Sequence, residues 1–423
     1  LSYSVVIKGV EIITEKNNEV YNIGVKGNKI AYIGQEEIIG TKTINGAKHI
    51  AVPGMVNAHT HAGMTLLRSY ADDMLLMDWL ENKIWPVEAL MTKDDIYWGT
   101  MLATVEMLKS GTTTFADMYA DMDKVAEAVE ETGMRASLSR GLIGVVPDSA
   151  KKLQENIQLF KDWHGKDNGR IQVMMGPHAP YTCPPDYLKK VITAAGELGC
   201  EIHMHLSETE GEVSACLKEN GLTPIALMDK LGMFELGTLA AHCVHVTDDD
   251  MKIMAAKHVR VAHNPQSNLK LASGIAPIPA MLQKGITVAL GTDGTSSNNN
   301  LDMLEEARLA AFMHKNQSND PTVIPAATAL QMATVNGAKA LGFENLGEIK
   351  VGQKADIVLY DMNKPYWYPR HDRTSLFIYA ANASDADTVL VDGKVLLEKG
   401  ELLTIDVEKV YAEANKCALR LTK

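Results

Sequence analysis

The middle of the chain constrains the fold most. Between residues 55 and 293 short apolar runs alternate with helical stretches, eight times over. The runs are MVNAHTH (55–61), TTTFADM (112–118), RASLSRGL (135–142), IQVMMGPH (171–178), EIHMHLSE (201–208), GTLAAHCV (237–244), HVRVAHNP (258–265) and ITVALGTD (286–293). Between them lie helical candidates such as DDIYWGTMLATVEMLKSG and PPDYLKKVITAAGELG. A strand that is apolar on both faces needs cover on both, and alternation with helices supplies it, which implies a parallel sheet. Eight such repeats over roughly 250 residues fit an α/β fold of the (β/α)8 TIM-barrel type. A doubly wound open sheet shares this periodicity and stands as the alternative.

The flanks read differently. SVVIKGVEIIT, EVYNIGVKGNKIAYIG and KTINGAKHIAVPG on the N-terminal side are short β-rich runs, with turn chemistry in VKGNKI and INGAK. KADIVLYDM and TVLVDGKVLLEKG near the C-terminus repeat the pattern. The expected organisation is a hydrolase barrel over 53–344 and one small discontinuous β-sandwich from 1–52 and 345–423.

Composition narrows the function classes. The chain is 46% hydrophobic and 22% charged, as ordinary globular proteins are. No apolar run approaches the about 18 residues of a membrane span, and no basic-then-apolar leader opens the sequence. The net charge of −12 disfavours nucleic acid and anionic membranes as partners. The five cysteines, Cys183, Cys200, Cys216, Cys243 and Cys417, are widely spaced. They form no CxxC and no PCxxC of the cytidine-type zinc deaminases, so the expectation is reduced structural thiols in a cytoplasmic protein.

Chemistry-bearing residues gather at the C-terminal ends of the runs. His59 and His61 lie two apart, on one face of a strand. Arg140 and His178 end the third and fourth runs. The fifth carries His203, His205 and Glu208. His242 and His245 end the sixth, His263 lies in the seventh and Asp293 ends the eighth. In a barrel these ends meet at the face where active sites are built. A catalytic zinc site takes about three His or carboxylate ligands and leaves one position open. His59, His61, one of His203 and His205, and Asp293 supply that set, and spacing does not choose between the two strand-5 histidines. Glu208 reads either as a proton carrier beside the metal or as an N-terminal helix charge, because LSETEGEV also looks like a capping segment. His242 is placed to hydrogen-bond an attacking hydroxide. His245 and His263 read as structural. IQVMMGPHAP holds no lysine that could be carboxylated to bridge two metals, which argues for one ion.

In this order the motifs resemble the amidohydrolase superfamily over nearly the whole chain. Within it they are similar to the 5-methylthioadenosine/S-adenosylhomocysteine deaminases. The carriers are PGMVNAHTHAGMTLLRS, MGPHAPYTCP, HMHLSET, AHCVHV, HNPQSNLKLASGIAPI, LGTDGTSSNNNLDM and GEIKVGQKADIVLYD. The resemblance places the strand-5 ligand at His205, so that His59, His61, His205 and Asp293 hold the metal. It implies that Glu208 shuttles a proton, that His242 polarises the hydroxide and that Asp293 takes the water's proton. It also implies substrate contacts at Glu88, Arg140 and His178. Glu88, in WPVEAL, stands where the family's ribose-binding glutamate sits. Trp79 and Trp85 read as helix packing ahead of pocket wall. Arg140 suits a substrate carboxylate, bidentate. Some relatives have a second arginine about a dozen residues on, where PDSAKKL offers Lys151 and Lys152 instead.

The implied reaction is hydrolytic deamination of S-adenosylhomocysteine, 5′-methylthioadenosine or adenosine to the inosine analogue. One divalent ion assists, zinc by default, with iron and manganese as alternatives. The competing readings are guanine or pterin deamination, triazine chlorohydrolysis and a non-catalytic scaffold. The partner is a small nucleoside, and a homo-oligomer is compatible with the sequence.

Overall fold

A computed structural model gives the fold of residues 2–14 and 19–423. Eight parallel strands form its centre: β1 (Met55–Thr60), β2 (Thr112–Tyr119), β3 (Arg135–Leu142), β4 (Ile171–Pro177), β5 (Ile202–Leu206), β6 (Thr238–His242), β7 (Arg260–His263) and β8 (Val288–Leu290). They pair in sequence order, each with the next. The doubly wound alternative needs a reversal of strand order, and there is none. The ring closes just past β8, where the Asp293 N–H donates to the His59 carbonyl at 2.9 Å. Beneath that bond, the Asn57 amide donates to the Thr292 hydroxyl at 2.7 Å and its oxygen accepts from the Thr292 N–H at 3.0 Å.

All eight expected runs are strands, and the expected helices cover them. β1, β2 and β5 are buried at every position, which is why they read as apolar rather than alternating. Helix α1 (Lys93–Lys109) starts on a capping box between Thr92 and Asp95. It packs close to the turn after β1. A Cβ on Gly99 would lie 2.6 Å from the Gly63 carbonyl oxygen, so only glycine allows this approach. Helix α2 (Pro185–Leu198) has proline in its first turn and ends on Gly199, whose φ of +64° suits the left-handed cap.

The flanking runs join into a second, nine-stranded sheet. Its strand Tyr3–Ile12 pairs first with Tyr21–Lys26 and Gly40–Asn45, then with His49–Pro53, so one strand serves two layers. The C-terminal strand Ile357–Asp361 adds antiparallel to His49–Pro53. Val5, Ile7, Ile23, Ile357 and Leu390 share a buried apolar core of their own. Among the described residues no helix is long and apolar enough to cross a membrane.

A buried ion cluster is among the polar contacts that join the two parts of the chain. Arg135, at the start of β3, is fully buried. It donates to Asp356 through two nitrogens at 3.0 and 2.9 Å and to Asp392 at 3.0 Å. A buried guanidinium repays its desolvation only when its partners remain, and stranding the partners costs about 3–5 kcal/mol. Arg135→Met leaves two carboxylates facing an apolar side chain. Its thermal midpoint should fall by several degrees in scanning calorimetry. A midpoint equal to the parent's would show that the cluster contributes nothing to stability.

Candidate active site

The strand ends converge as expected, and three imidazoles and one carboxylate meet at the mouth. His59 Nε2 lies 3.4 Å and His61 Nε2 3.2 Å from Asp293 Oδ1. His205 Nε2 lies 3.4 Å from His61 Nε2. His203 turns the other way, and its Nε2 sits 2.9 Å behind His59 Nδ1. The geometry therefore separates the strand-5 pair that spacing left open.

Each inward imidazole is oriented from behind. His61 Nδ1 donates to the Met118 carbonyl at 2.6 Å, and His205 Nδ1 donates to the His178 carbonyl at 2.7 Å. Pinning Nδ1–H turns Nε2 toward the cluster, as metal-binding histidines require. His59 Nε2 is buried with no hydrogen bond of proper geometry. An orphaned buried acceptor beside two more Nε2 atoms and a carboxylate fits a divalent cation. Ligand atoms of His59, His61 and Asp293, and of His59, His205 and His242, lie within 4.8 Å of one another.

The electrostatics agree with that fit. Burial, chiefly, pushes His59 down to about 4 and His205 well below its ordinary value, so both are neutral. Burial is the largest single influence on His61 and opposes its protonation, yet the hydrogen bond and charge of Asp293, with the Met118 carbonyl and the Asp117 charge, together outweigh it and raise His61 to about 9. Burial works against the Asp293 carboxylate as well, but His59 and His61 hold it well below the usual range. Ser267 and Ser297 donate to its other oxygen at 2.6 and 3.0 Å.

Glu208 and His242 flank the cluster on one side. His242 Nε2 lies 3.7 Å from Glu208 Oε2. The Asn268 amide oxygen lies 2.8 Å from His242 Nδ1 and the Asn264 amide nitrogen 3.3 Å from the same atom, which leaves Nε2 facing Glu208. Burial raises Glu208 above an ordinary carboxyl, against the pull of His242. Ser207, His242, Cys243 and Asp293 all have positive φ, between +48° and +72°. Such non-glycine conformations cost about 1–3 kcal/mol each and gather at functional sites.

A cavity of about 260 Å³ opens beside this cluster, and Glu88, Arg140 and His178 all line it. Glu88 accepts from the Tyr119 hydroxyl through Oε1. Burial raises its carboxyl, against that hydrogen bond. His178 is pushed down to about 4 by burial and by the neighbouring histidines. Arg140 donates from Nε to Glu155 at 2.9 Å and from one terminal nitrogen to the Gly141 carbonyl at 2.8 Å.

Some expectations need correction or sharpening. Trp79 and Trp85 both line the cavity, so the packing reading alone falls short: the segment between β1 and α1 folds over the mouth and turns both indoles inward. Lys151 and Lys152 lie off the cavity wall, paired with Glu155 and Asp148. His245 bonds the Ser273 carbonyl at 2.6 Å and His263 pairs with His314 at 3.1 Å, both away from the cluster. Sequence reasoning missed Ser267, Ser297 and Tyr119. The two serines stand inside quoted motifs, but only the fold aims them at Asp293.

Comparison with known proteins gives a consistent picture. A model of the amidohydrolase family matches residues 50–396. A protein named 5-methylthioadenosine/S-adenosylhomocysteine deaminase from Pelotomaculum thermopropionicum is 51% identical over 427 residues, covering 99% of both chains. Another of that name from Dictyoglomus thermophilum is 56% identical, covering 90% of this chain and 89% of its own. A crystal structure of an adenosine deaminase from Xanthomonas campestris with bound zinc superposes with a TM-score of 0.94 at 34% identity, over 99% of each chain.

The protonated His61 makes cation binding a proton exchange. A ligand nitrogen must be free of its proton, so an ion that takes His61 Nε2 expels the proton that the group carries below about 9. Titration of the metal-free protein near pH 7.5 should release about one proton per ion bound. Calorimetry in two buffers of different ionisation enthalpy measures it. Binding without proton release would show that His61 does not supply Nε2.

Proposed function

This chain belongs to the amidohydrolase family, and on that premise we propose that it is a metal-dependent aminohydrolase that converts 5′-methylthioadenosine and S-adenosylhomocysteine to their inosine analogues and ammonia. The names of relatives about half identical over nearly the whole chain support the substrate class. The observation that carries the reading is the cavity, which places Glu88 and Arg140 on a wall continuous with the histidine cluster.

His59, His61, His205 and Asp293 would hold the ion, and their nitrogen and carboxylate donors suit zinc, with iron and manganese compatible. When bound, such an ion lowers the pKa of a water toward neutrality. The chain's own groups do the rest. Asp293 takes a proton from the water, and His242 Nε2 hydrogen-bonds the same water, the ring held from behind by Asn268. Burial raises the Glu208 carboxyl, which favours its acid form, and Glu208 delivers a proton to the purine ring nitrogen. C6 becomes electrophilic and the water oxygen adds. Asp293 then passes the proton it took to the amino nitrogen, the bond from C6 to that nitrogen breaks, ammonia leaves, and the proton remaining on the C6 oxygen returns to Glu208 as the carbonyl forms. His178 faces the nucleoside as a neutral imidazole.

Glu88 accepts the ribose hydroxyls with the carboxylate capacity that Tyr119 leaves free. Arg140 meets the homocysteine carboxylate with its remaining terminal nitrogen, Glu155 and Gly141 holding the others. The residues 53–344 act as the catalytic barrel, with 1–52 and 345–423 as the supporting β part. Five free thiols with no disulfide among them suit the cytoplasm.

Guanine or a triazine has no ribose, so Glu88 separates these substrates from nucleosides. Hydrogen bonds to a charged group are worth about 1.5–3 kcal/mol each. Glu88→Ala should lower kcat/KM for 5′-methylthioadenosine by about 10²-fold or more. An unchanged rate would count against a nucleoside substrate. Arg140→Met should lower kcat/KM for S-adenosylhomocysteine about tenfold while sparing 5′-methylthioadenosine. Equal losses would show that Arg140 does not meet the carboxylate.

A further inference from the structure

The turn that carries Glu208 is held by a carboxylate that the reaction itself does not use. Glu212 lies in the first turn of helix α3 (Glu210–Asn220) and is only 7% exposed. One of its oxygens accepts from the Ser207 N–H at 2.7 Å, the other from the Glu208 N–H at 2.8 Å. Ser207 has a φ of +54°, and its carbonyl accepts from the His245 N–H at 2.9 Å. The peptide groups on either side of Ser207 are thus tied down, and the Glu208 side chain projects from them toward the cluster.

The same chain supplies the comparison. Thr92 with Asp95, and Thr247 with Asp250, form capping boxes: the acid three residues into the helix accepts from the backbone N–H of the capping threonine. Thr209 and Glu212 have the same spacing, and Thr209 does accept from the Glu212 N–H at 3.1 Å. Here, however, the acid bypasses the Thr209 N–H and reaches back to residues 207 and 208. Glutamate is one methylene longer than the aspartates of the two ordinary boxes, and that length spans the extra distance.

We propose that Glu212 is a positioning residue for the deamination, fixing the Ser207–Glu208 turn so that the Glu208 carboxyl stands at the reacting ring nitrogen. This rests on the role assigned to Glu208 above. Proton transfer of this kind contributes about 10²–10⁴-fold, and a displacement of about 1 Å can cost 10²-fold. Glu212→Asp keeps the charge and permits an ordinary capping box, but it is too short for the two N–H groups. Glu212→Gln keeps the length but turns an N–H₂ toward one of the two donors.

The test is steady-state ammonia release from 5′-methylthioadenosine by the metal-loaded full chain, together with thermal midpoints. Glu212→Asp should lower kcat by about 10–10²-fold, leave KM within about threefold and hold the midpoint near the parent's. Glu212→Gln should lose kcat in the same way. In a Glu208→Ala background, Glu212→Asp should cost nothing further, because residues acting through one group are not additive. Parental kcat in Glu212→Asp would overturn the inference, and so would the same fractional loss with or without Glu208. Parental kcat in Glu208→Ala would instead remove the role of Glu208, and the inference with it.

Discussion

The site depends on one unfavourable act, the burial of the Asp293 carboxylate at the barrel mouth. A lone carboxylate out of water is costly, and such groups persist only when paired and hydrogen-bonded. Asp293 has both kinds of support. The Gly294 N–H donates to Oδ1, Ser267 and Ser297 occupy Oδ2, and His59 and His61 stand within 3.4 Å of Oδ1. Its backbone N–H also closes the ring of strands onto β1. Ring closure and the placing of this carboxylate are one event: if β8 slipped against β1, the carboxylate would leave the imidazoles. The positive φ of Asp293 belongs to the same constraint, since it turns the side chain back over the barrel end.

Around that centre the chain repeats a single device. A buried acid beneath a loop accepts backbone N–H groups and so fixes the first residues after a strand. Asp117 takes the Ala62 N–H at 2.7 Å just beyond His61. Glu306 takes the Gln266 N–H at 3.1 Å and an Asn298 amide at 2.6 Å, tying the loops after β7 and β8. Glu212 does this beneath Glu208. Burial pushes Asp117 up to about 6 and Glu212 up to about 7, so holding these loops carries a cost. That cost is consistent with a site whose groups must not relax while charge moves through it.

Much of this was legible in the sequence, because strands and metal ligands leave local signals. Continuous apolar runs between helices marked all eight strands, and His-x-His at 59 and 61 marked the mouth. What was not legible depends on distant partners. The closure from His59 to Asp293, the embrace of Arg135 by Asp356 and Asp392, and the support of Asp293 by Ser267 join residues far apart in the chain. Trp79 and Trp85 carry the composition of packed helix residues, and only the fold of their segment over the mouth turns them to the cavity. The LSETEGEV stretch does cap a helix, through Thr209, as its spacing suggests. The spacing does not show that the extra methylene of Glu212 takes its carboxylate back to residues 207 and 208.

In the proposed function a ribose-recognising wall and a metal-binding histidine cluster share one cavity. The most direct measurement is ammonia release by the metal-reconstituted protein offered 5′-methylthioadenosine, S-adenosylhomocysteine, adenosine, guanine and cytosine in parallel. Turnover confined to the adenosine analogues, and abolished by chelation, is the expected result. Release from guanine or cytosine with none from the nucleosides would contradict the proposed function, because the wall bearing Glu88 and Arg140 would then have no ribose to read.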